Sequence, residues 1–327
     1  MIMITWVVWG IPWILKLQAL GGWLTPPMQF FTFLGLEQFY VLVMPAVLWC
    51  FDIGVGLRVG TILLTSNMLA FTLKLVFGLP RPYWISRRVQ ALSTEWSFGL
   101  PSGHAMNAVT LWGRLASAIQ RRWALAAALA LMFLIPLSRV ELGVHFPADV
   151  IAGWVFGGIL LFAFLKYERG VAERLLRATP AARLLVACLG PLALVGLALA
   201  VRTIRAPLGI PAAWVETAAA AAPEAPPIDP LEISSILAIG GIFLGFCVGG
   251  ALLVDWGGFR VEGAWAQRLL RYAVGLVGVV IIFIGLAAIF PSGPSLVAVT
   301  LRALRYALVG FWISYLAPRV FVWVGVA

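Results

Sequence analysis

Nine apolar runs, each about the length of a bilayer-crossing helix, leave this chain little choice of solvent. They fall at 29–50, 56–78, 103–119, 123–140, 147–166, 182–203, 232–254, 267–290 and 296–324, lengths that suit a hydrocarbon core about 30 Å thick. Of the 327 residues, 62% are hydrophobic and only 11% are charged. A soluble core cannot hide that much apolar surface. The expected fold is therefore all-α: a polytopic integral membrane helical bundle of about nine transmembrane helices.

The ends and connections refine this picture. In residues 1–24, Trp6, Trp9 and Trp13 fall on one helical face, with Gly10-Ile11-Pro12 weakening the middle. We read this stretch as an amphipathic helix lying in the membrane interface, where tryptophan is enriched; a further crossing is the alternative. No short apolar run ends in a small-residue cleavage site, so no removable signal peptide is expected. The turn at Asp52, Gly54 and Gly56 separates the first two runs, and a polar stretch fills 79–101. Cys50, Cys188 and Cys247 all lie in apolar stretches without metal-type spacing, as buried small hydrophobes do.

The Ala/Pro-rich segment 204–231, with Glu216, Glu224 and Asp229, reads as an extracytoplasmic loop and is the natural boundary. It divides a catalytic membrane domain (25–203) from a C-terminal three-helix extension (232–327). The extension holds no ionisable cluster, and Gly241, Gly245 and Gly249 at four-residue spacing suit close helix packing.

The net charge of +10 is distributed between the apolar runs, not along an aromatic-interleaved soluble face, so nucleic acid is not an expected partner. With nine crossings, one side of the membrane receives Arg58, Arg121, Arg122, Lys166, Arg169, Arg174, Arg177, Arg183, Arg260, Arg268, Arg271 and Arg319. The positive-inside bias makes that side cytoplasmic. The motifs described next then face outward, and the membrane is taken as the cell (inner) membrane.

Three short stretches carry both histidines: Lys74-(six residues)-Arg81-Pro82, then Pro101-Ser102-Gly103-His104, then Ser138-Arg139-(five residues)-His145-(three residues)-Asp149. Two imidazoles, three cations and one carboxylate are the tools for attacking a phosphate ester. Ser102 can cap the helix that Gly103 opens, and free N–H groups at such an end attract anions. Pro147 suits a first helical turn. His145 and Asp149 are four apart, so the carboxylate can reach one imidazole nitrogen and leave the other free to attack. Lys74, Arg81 and Arg139 enter from three segments and can bind the equatorial oxygens of a phosphoryl group. His104 is placed to protonate the leaving oxygen.

These residues resemble the type-2 phosphatidic acid phosphatase family, related in its active site to vanadium haloperoxidases and bacterial acid phosphatases. The resemblance covers roughly residues 25–170, and all three motifs are complete. It implies a nucleophilic His145 that forms a phosphohistidine, with Asp149 orienting it. It also implies His104 as general acid and Lys74, Arg81, Ser102, Gly103 and Arg139 as phosphate ligands, without metal or other cofactor. Ser138 is assigned a structural role. Glu141 departs from the family's usual aromatic or neutral residue, which puts a negative charge near an anion site. The extra C-terminal helices are reminiscent of sphingosine-phosphate phosphatases.

Glu37, inside the first run, either touches the phosphate-binding cations or headgroup, or bonds a neighbouring helix. Asn67 and Asn107 fall on the motif-bearing helix faces as second-sphere or helix–helix contacts. The expected activity is hydrolysis of a membrane lipid phosphomonoester or pyrophosphate: phosphatidic acid, phosphatidylglycerol phosphate, isoprenyl pyrophosphate or sphingoid-base phosphate. A phosphotransferase on the same scaffold, and a non-catalytic lipid transporter or scaffold, are the alternatives. The sequence fixes no oligomeric state.

Overall fold

A computed structural model of the chain describes residues 7–326. Trp6 and the beginning of the expected interfacial helix lie outside them. Among the described residues the protein is all-helical, with no strand. The helices that position the site are α1 (Ile11–Gln18), α2 (Thr25–Phe33), α3 (Glu37–Cys50), α4 (Ile53–Phe77), α5 (Pro82–Ile85), α6 (Gly103–Ile119), α7 (Arg122–Glu141) and α8 (Pro147–Arg177). They are followed by α9 (Pro180–Arg205), α10 (Ala212–Ala221), α11 (Ile233–Trp256), α12 (Trp265–Val280) and α13 (Leu296–Phe311). The last two continue through short wider turns to Ile289 and Trp323.

Helices stand at all nine expected places. Seven are long and apolar enough to cross a membrane, or eight if α2 and α3 together make one bent crossing. The count falls short of nine at two places. The run read as 29–50 is two helices bent by 48°, broken at Leu34-Gly35-Leu36. At 17 residues α6 is short, and it carries the buried Arg114. The eight-residue α1 is about 12 Å long, too short to cross.

The chain forms two compact units. The first comprises Met1–Phe39, Leu69–Phe162 and Ala198–Glu232; the second comprises Tyr40–Met68, Ala163–Leu197 and Ile233–Ala327.

In the first unit, glycines on α8 set the helix spacing. A Cβ on Gly153 would lie 2.6 Å from the Ala105 methyl and 2.7 Å from the Ser102 carbonyl. One on Gly157 would lie 3.0 Å from the Met106 carbonyl. Bare backbone at both positions lets the start of α8 lie directly against the start of α6, the small-residue packing that membrane helices use. α6 ends at Gln120, whose left-handed conformation (φ 53°) turns the chain into α7. Pro136 inside α7 and the indole of Trp154, which donates to the Met132 carbonyl at 2.9 Å, complete that packing.

α1 has a buried side and an exposed one. Ile14 is fully buried while Trp9 and Trp13 are 47% and 55% exposed. Its far end is docked: the Gln18 amide donates to the carbonyls of Gln90 and Glu141, both at 2.9 Å, and accepts from the Gln90 N–H. The segment 204–231, expected as a loop, contains α10, whose Trp214 ring lies 6.3 Å from that of Trp84 on α5.

In the second unit, α11 and α13 pack backbone to backbone. Gly241 and Gly245 face the carbonyls of Ala303 and Ala307 where any Cβ would collide. Gly249 does the same against Ser314, so the glycine spacing has the packing role expected of it. The indole of Trp49 donates to the Ile313 carbonyl at 2.8 Å, and that of Trp312 to the Gly275 carbonyl at 2.9 Å. All three cysteines are free thiols.

Candidate active site

Four helix ends meet in the first unit: the last turns of α4 and α7 and the first turns of α6 and α8. Lys74, Arg139, His104 and Asp149 stand on those turns. Two connections bring the rest. The chain from Gly78 to Pro101 supplies Arg81, and the tight loop 142–146 supplies His145. The backbone N–H of Ser102 donates to the Asp149 carbonyl at 2.9 Å, stitching the second motif to the third. The Ser102 hydroxyl caps α6 by accepting from the Ala105 N–H at 3.4 Å. A Cβ on Gly103 would meet nothing closer than the Ala70 methyl at 3.9 Å, so packing does not demand a glycine there.

His145 is 1% exposed and Asp149 is fully buried. Nδ1 of His145 lies 3.1 Å from Oδ2 of Asp149, and the same oxygen accepts from the Phe146 N–H at 2.9 Å. A carboxylate beside Nδ1 assigns the proton to that nitrogen, so Nε2 carries the lone pair. Nη1 of Arg81 sits 3.3 Å from Nε2 and donates to it. Burial, reinforced by the charges of Arg81, Lys74 and Arg139, pushes the imidazole well below its ordinary range. His145 is therefore neutral at physiological pH. That is the state a nitrogen nucleophile needs.

Arg81, fully buried, is held from several directions. Its Nε donates to the Ser97 carbonyl at 2.6 Å, Nη1 to the Val144 carbonyl at 2.9 Å, and Nη2 to Ser97 Oγ at 3.0 Å and the Phe98 carbonyl at 3.2 Å. Lys74 Nζ donates to the same Ser97 hydroxyl at 3.0 Å. Arg139 donates through Nη1 to Thr32 Oγ1 at 2.6 Å and through Nη2 to Glu95, while its buried Nε has no protein partner. Nε2 of His104 is likewise buried without a partner, and His104 lies within electrostatic reach of Arg139, Glu95, Lys74 and Arg81. Two orphaned polar atoms in one cluster of cations mark a place where an outside oxygen can be bound.

The structure thus brings together Lys74, Arg81, Ser102, Gly103, His104, Arg139, His145 and Asp149. The remaining expected residues sit apart. Asn107 is buried in α6, one turn below His104. Glu37 is exposed on the first turn of α3, within electrostatic reach of Glu95. Asn67 is half-buried on α4 in the second unit. Ser138 turns its hydroxyl back onto the Ile135 carbonyl at 2.6 Å. Glu141 does not load the anion site with charge: its Oε1 accepts from Thr25 Oγ1 at 2.9 Å. Two positions along a helix is about 200° of rotation, so Glu141 faces away from Arg139.

Three participants escape a motif-based reading: Thr32, Ser97 and above all Glu95. Glu95 reaches both guanidinium groups, with Oε2 lying 3.7 Å from Nη2 of Arg81. Burial alone would raise this carboxyl, but Arg81, Arg139 and Lys74 outweigh it and hold it down at about 2. The signal available was that Glu95 is the sole carboxylate in 79–101.

Comparison with known proteins gives this site a lineage. A profile of the PAP2 superfamily matches residues 55–171, which contain every motif residue. The chain is 30% identical over 167 residues to phosphatidylglycerophosphatase B of Bacillus subtilis, covering 46% of this chain and 77% of that one. The chain belongs to the PAP2 superfamily. A second profile, the PAP2 superfamily phosphatase transmembrane extension, matches residues 237–327. The lipid phosphate phosphatase delta of Arabidopsis thaliana is 28% identical over 177 residues, 49% of this chain and 42% of that protein. This PAP2 chain therefore spans less than half the length of that relative. A solved transmembrane PAP2 type phosphatidylglycerolphosphate phosphatase from Bacillus subtilis is 26% identical, covers 48% of this chain and 84% of that one, and superposes with a TM-score of 0.41.

Proposed function

We propose that this protein is a membrane lipid phosphatase that hydrolyses a lipid phosphomonoester or pyrophosphate through a phosphohistidine at His145. The observation that carries the reading is the Asp149-oriented imidazole of His145 set against Lys74, Arg81 and Arg139. Nε2 attacks phosphorus, the N–P bond forms, and the bond to the lipid oxygen breaks. His104, in its acid form, gives that oxygen its proton. In the second half, His104 takes a proton from water, whose oxygen attacks phosphorus. The N–P bond breaks, and inorganic phosphate leaves with His145 neutral again.

The cations act on the charge that builds up on the equatorial oxygens, where each preorganised donor is worth roughly 10²–10³ in rate. Arg139 Nε, buried without a protein partner, and the N–H groups that begin α6 are the donors this reading assigns to the phosphoryl oxygens. Arg81 has one further task. Its N–H rests on Nε2 and is withdrawn to a phosphoryl oxygen when substrate arrives. In this reading the chain's own cations neutralise the phosphate, so turnover survives excess chelator.

With the bent pair α2–α3 and the short α6 both counted as crossings, the arginine distribution supports an outward-facing site at the membrane boundary, with the lipid tail left between helices. Phosphatidic acid, phosphatidylglycerol phosphate, isoprenyl pyrophosphate and sphingoid-base phosphate all present the phosphoryl group this site fits. A panel of these lipids, given to the purified wild type and to His145→Ala, tests the reading. Phosphate release by the wild type alone is expected. Transfer of the label to an added alcohol without release makes the protein a phosphotransferase, and no turnover of any lipid makes it a non-catalytic relative.

A further inference from the structure

Glu95 occupies ground that a phosphatase would be expected to keep for its substrate. One carboxylate oxygen accepts from Nη2 of Arg139 and the other lies 3.7 Å from Nη2 of Arg81. The carboxylate thus has the place, the charge sign and two of the partners of a phosphoryl group. The arginine side chains are 0% and 1% exposed while that of Glu95 is 23% exposed, so the acid lies at the open side of the cluster.

The surroundings allow the carboxylate to leave without disturbing its partners. The backbone of Glu95 is clipped by one phenol: Tyr83 Oη donates to the Glu95 carbonyl at 2.8 Å and accepts from the Glu95 N–H at 2.9 Å. Motion is therefore confined to the side chain. Arg139 remains anchored on Thr32, and Arg81 keeps its bonds to the Ser97, Val144 and Phe98 backbone when Glu95 swings away.

We propose that Glu95 is an internal anion that fills the phosphate site at rest, yields to the substrate's phosphoryl group, and returns to displace the phosphate product. The inference rests on reading this cluster as a phosphate site. Without Glu95, two buried arginines and a half-buried lysine would hold a phosphate dianion firmly and slow its release. A tethered carboxylate competes as an intramolecular ligand at high effective concentration, and it lowers the affinity for any free anion. Burial strengthens each of these charge terms relative to water. The low pKa of Glu95 keeps it ionised throughout the working range, so the device acts by competition and not by pH.

The test is binding of inorganic phosphate to the full-length, detergent-solubilised protein by calorimetry, which needs no turnover. Glu95→Gln keeps the shape and an acceptor for Arg139 but removes the charge. Phosphate is expected to bind Glu95→Gln tighter than wild type by about tenfold or more, and Glu95→Ala likewise. If the carboxylate is instead a strut that holds Arg139, Glu95→Ala binds phosphate more weakly and Glu95→Gln is unchanged, and the proposal is overturned. Absence of binding to all three proteins at millimolar phosphate also overturns it. If Glu95→Ala does not fold, the Gln variant decides alone. The outcomes separate from the proposed function. Tighter binding without lipid hydrolysis sinks the phosphatase reading only, and hydrolysis with unchanged phosphate affinity sinks this one only.

Discussion

Asp149→Asn is the substitution that most sharply exposes how the nucleophile is built. The wild-type carboxylate accepts twice through Oδ2, from His145 Nδ1 at 3.1 Å and from the Phe146 N–H at 2.9 Å. An asparagine carbonyl in the place of Oδ2 can keep both contacts, but it carries no charge. The imidazole then loses the anion that holds its Nδ1 proton and offsets the positive charge growing on the ring as Nε2 bonds to phosphorus. Loss of an orienting carboxylate with the geometry intact costs about 10⁴ in rate elsewhere, equivalent to roughly 5.5 kcal/mol of activation free energy. The same size of loss in kcat is expected here, with the protein still folded because the side-chain volume is unchanged. Single-turnover hydrolysis of a labelled lipid phosphate in mixed micelles measures it, beside a thermal melt of each protein. A loss below about tenfold would refute the role given to the carboxylate's charge and reduce Asp149 to a helix-starting residue.

Other expectations follow from single contacts. A Cβ at Gly35 would lie 2.5 Å from His104 Cδ2 and 2.9 Å from Ile135 Cγ2. Ile135 is fully buried, so Gly35→Ala moves the imidazole. Turnover of alkyl phosphates should fall by about 10²-fold while an activated aryl phosphate, whose leaving group needs little proton, is spared. Equal losses on both substrates would remove His104 from the acid's role. Glu95, held at about 2 against an ordinary 4.5, contributes stability that is present in full above its unfolded value and is lost as pH falls toward 2. The difference in melting temperature between wild type and Glu95→Gln should be flat from pH 5 to 9 and shrink below about pH 4; a difference that grows with acid contradicts the pairing. After replacement of the native cysteines, a cysteine in 204–231 should react with an impermeant thiol reagent in intact cells, and one in 168–180 only after lysis; the reverse pattern inverts the proposed topology.

What could be read from the sequence was whatever has a period or a spacing. Apolar runs of crossing length located every long helix, and three spaced motifs named the residues that the fold brings together. The four-residue step from His145 to Asp149 is a helical turn, and the structure starts α8 at Pro147 to use it. The bend at Gly35 was not legible, because the apolar pattern runs through it without a change of composition. What the glycine serves there is a contact between distant segments: the His104 ring takes the space a side chain would fill. Glu95 and Thr32 belong to no repeat, and they reach Arg139 only because α2 and the 86–101 connection fold over the end of α7. Gly153 and Gly157, which let α8 meet α6, look like ordinary membrane glycines until the carbonyls of Ser102 and Met106 are seen beside them. Glu141 shows the converse: closeness in sequence to Arg139 suggested closeness in space, and helical rotation placed it elsewhere.

The central claim is that phosphorus is transiently bonded to Nε2 of His145. The most direct measurement is rapid-quench trapping with a phosphorus-labelled lipid phosphate, followed by proteolysis and mass mapping of the labelled peptide. The account predicts label on the peptide containing His145. It also predicts accumulation of that label in a variant slowed in the second step, and none in His145→Ala. Label on any other residue, or full single-turnover phosphate release by His145→Ala, would contradict it.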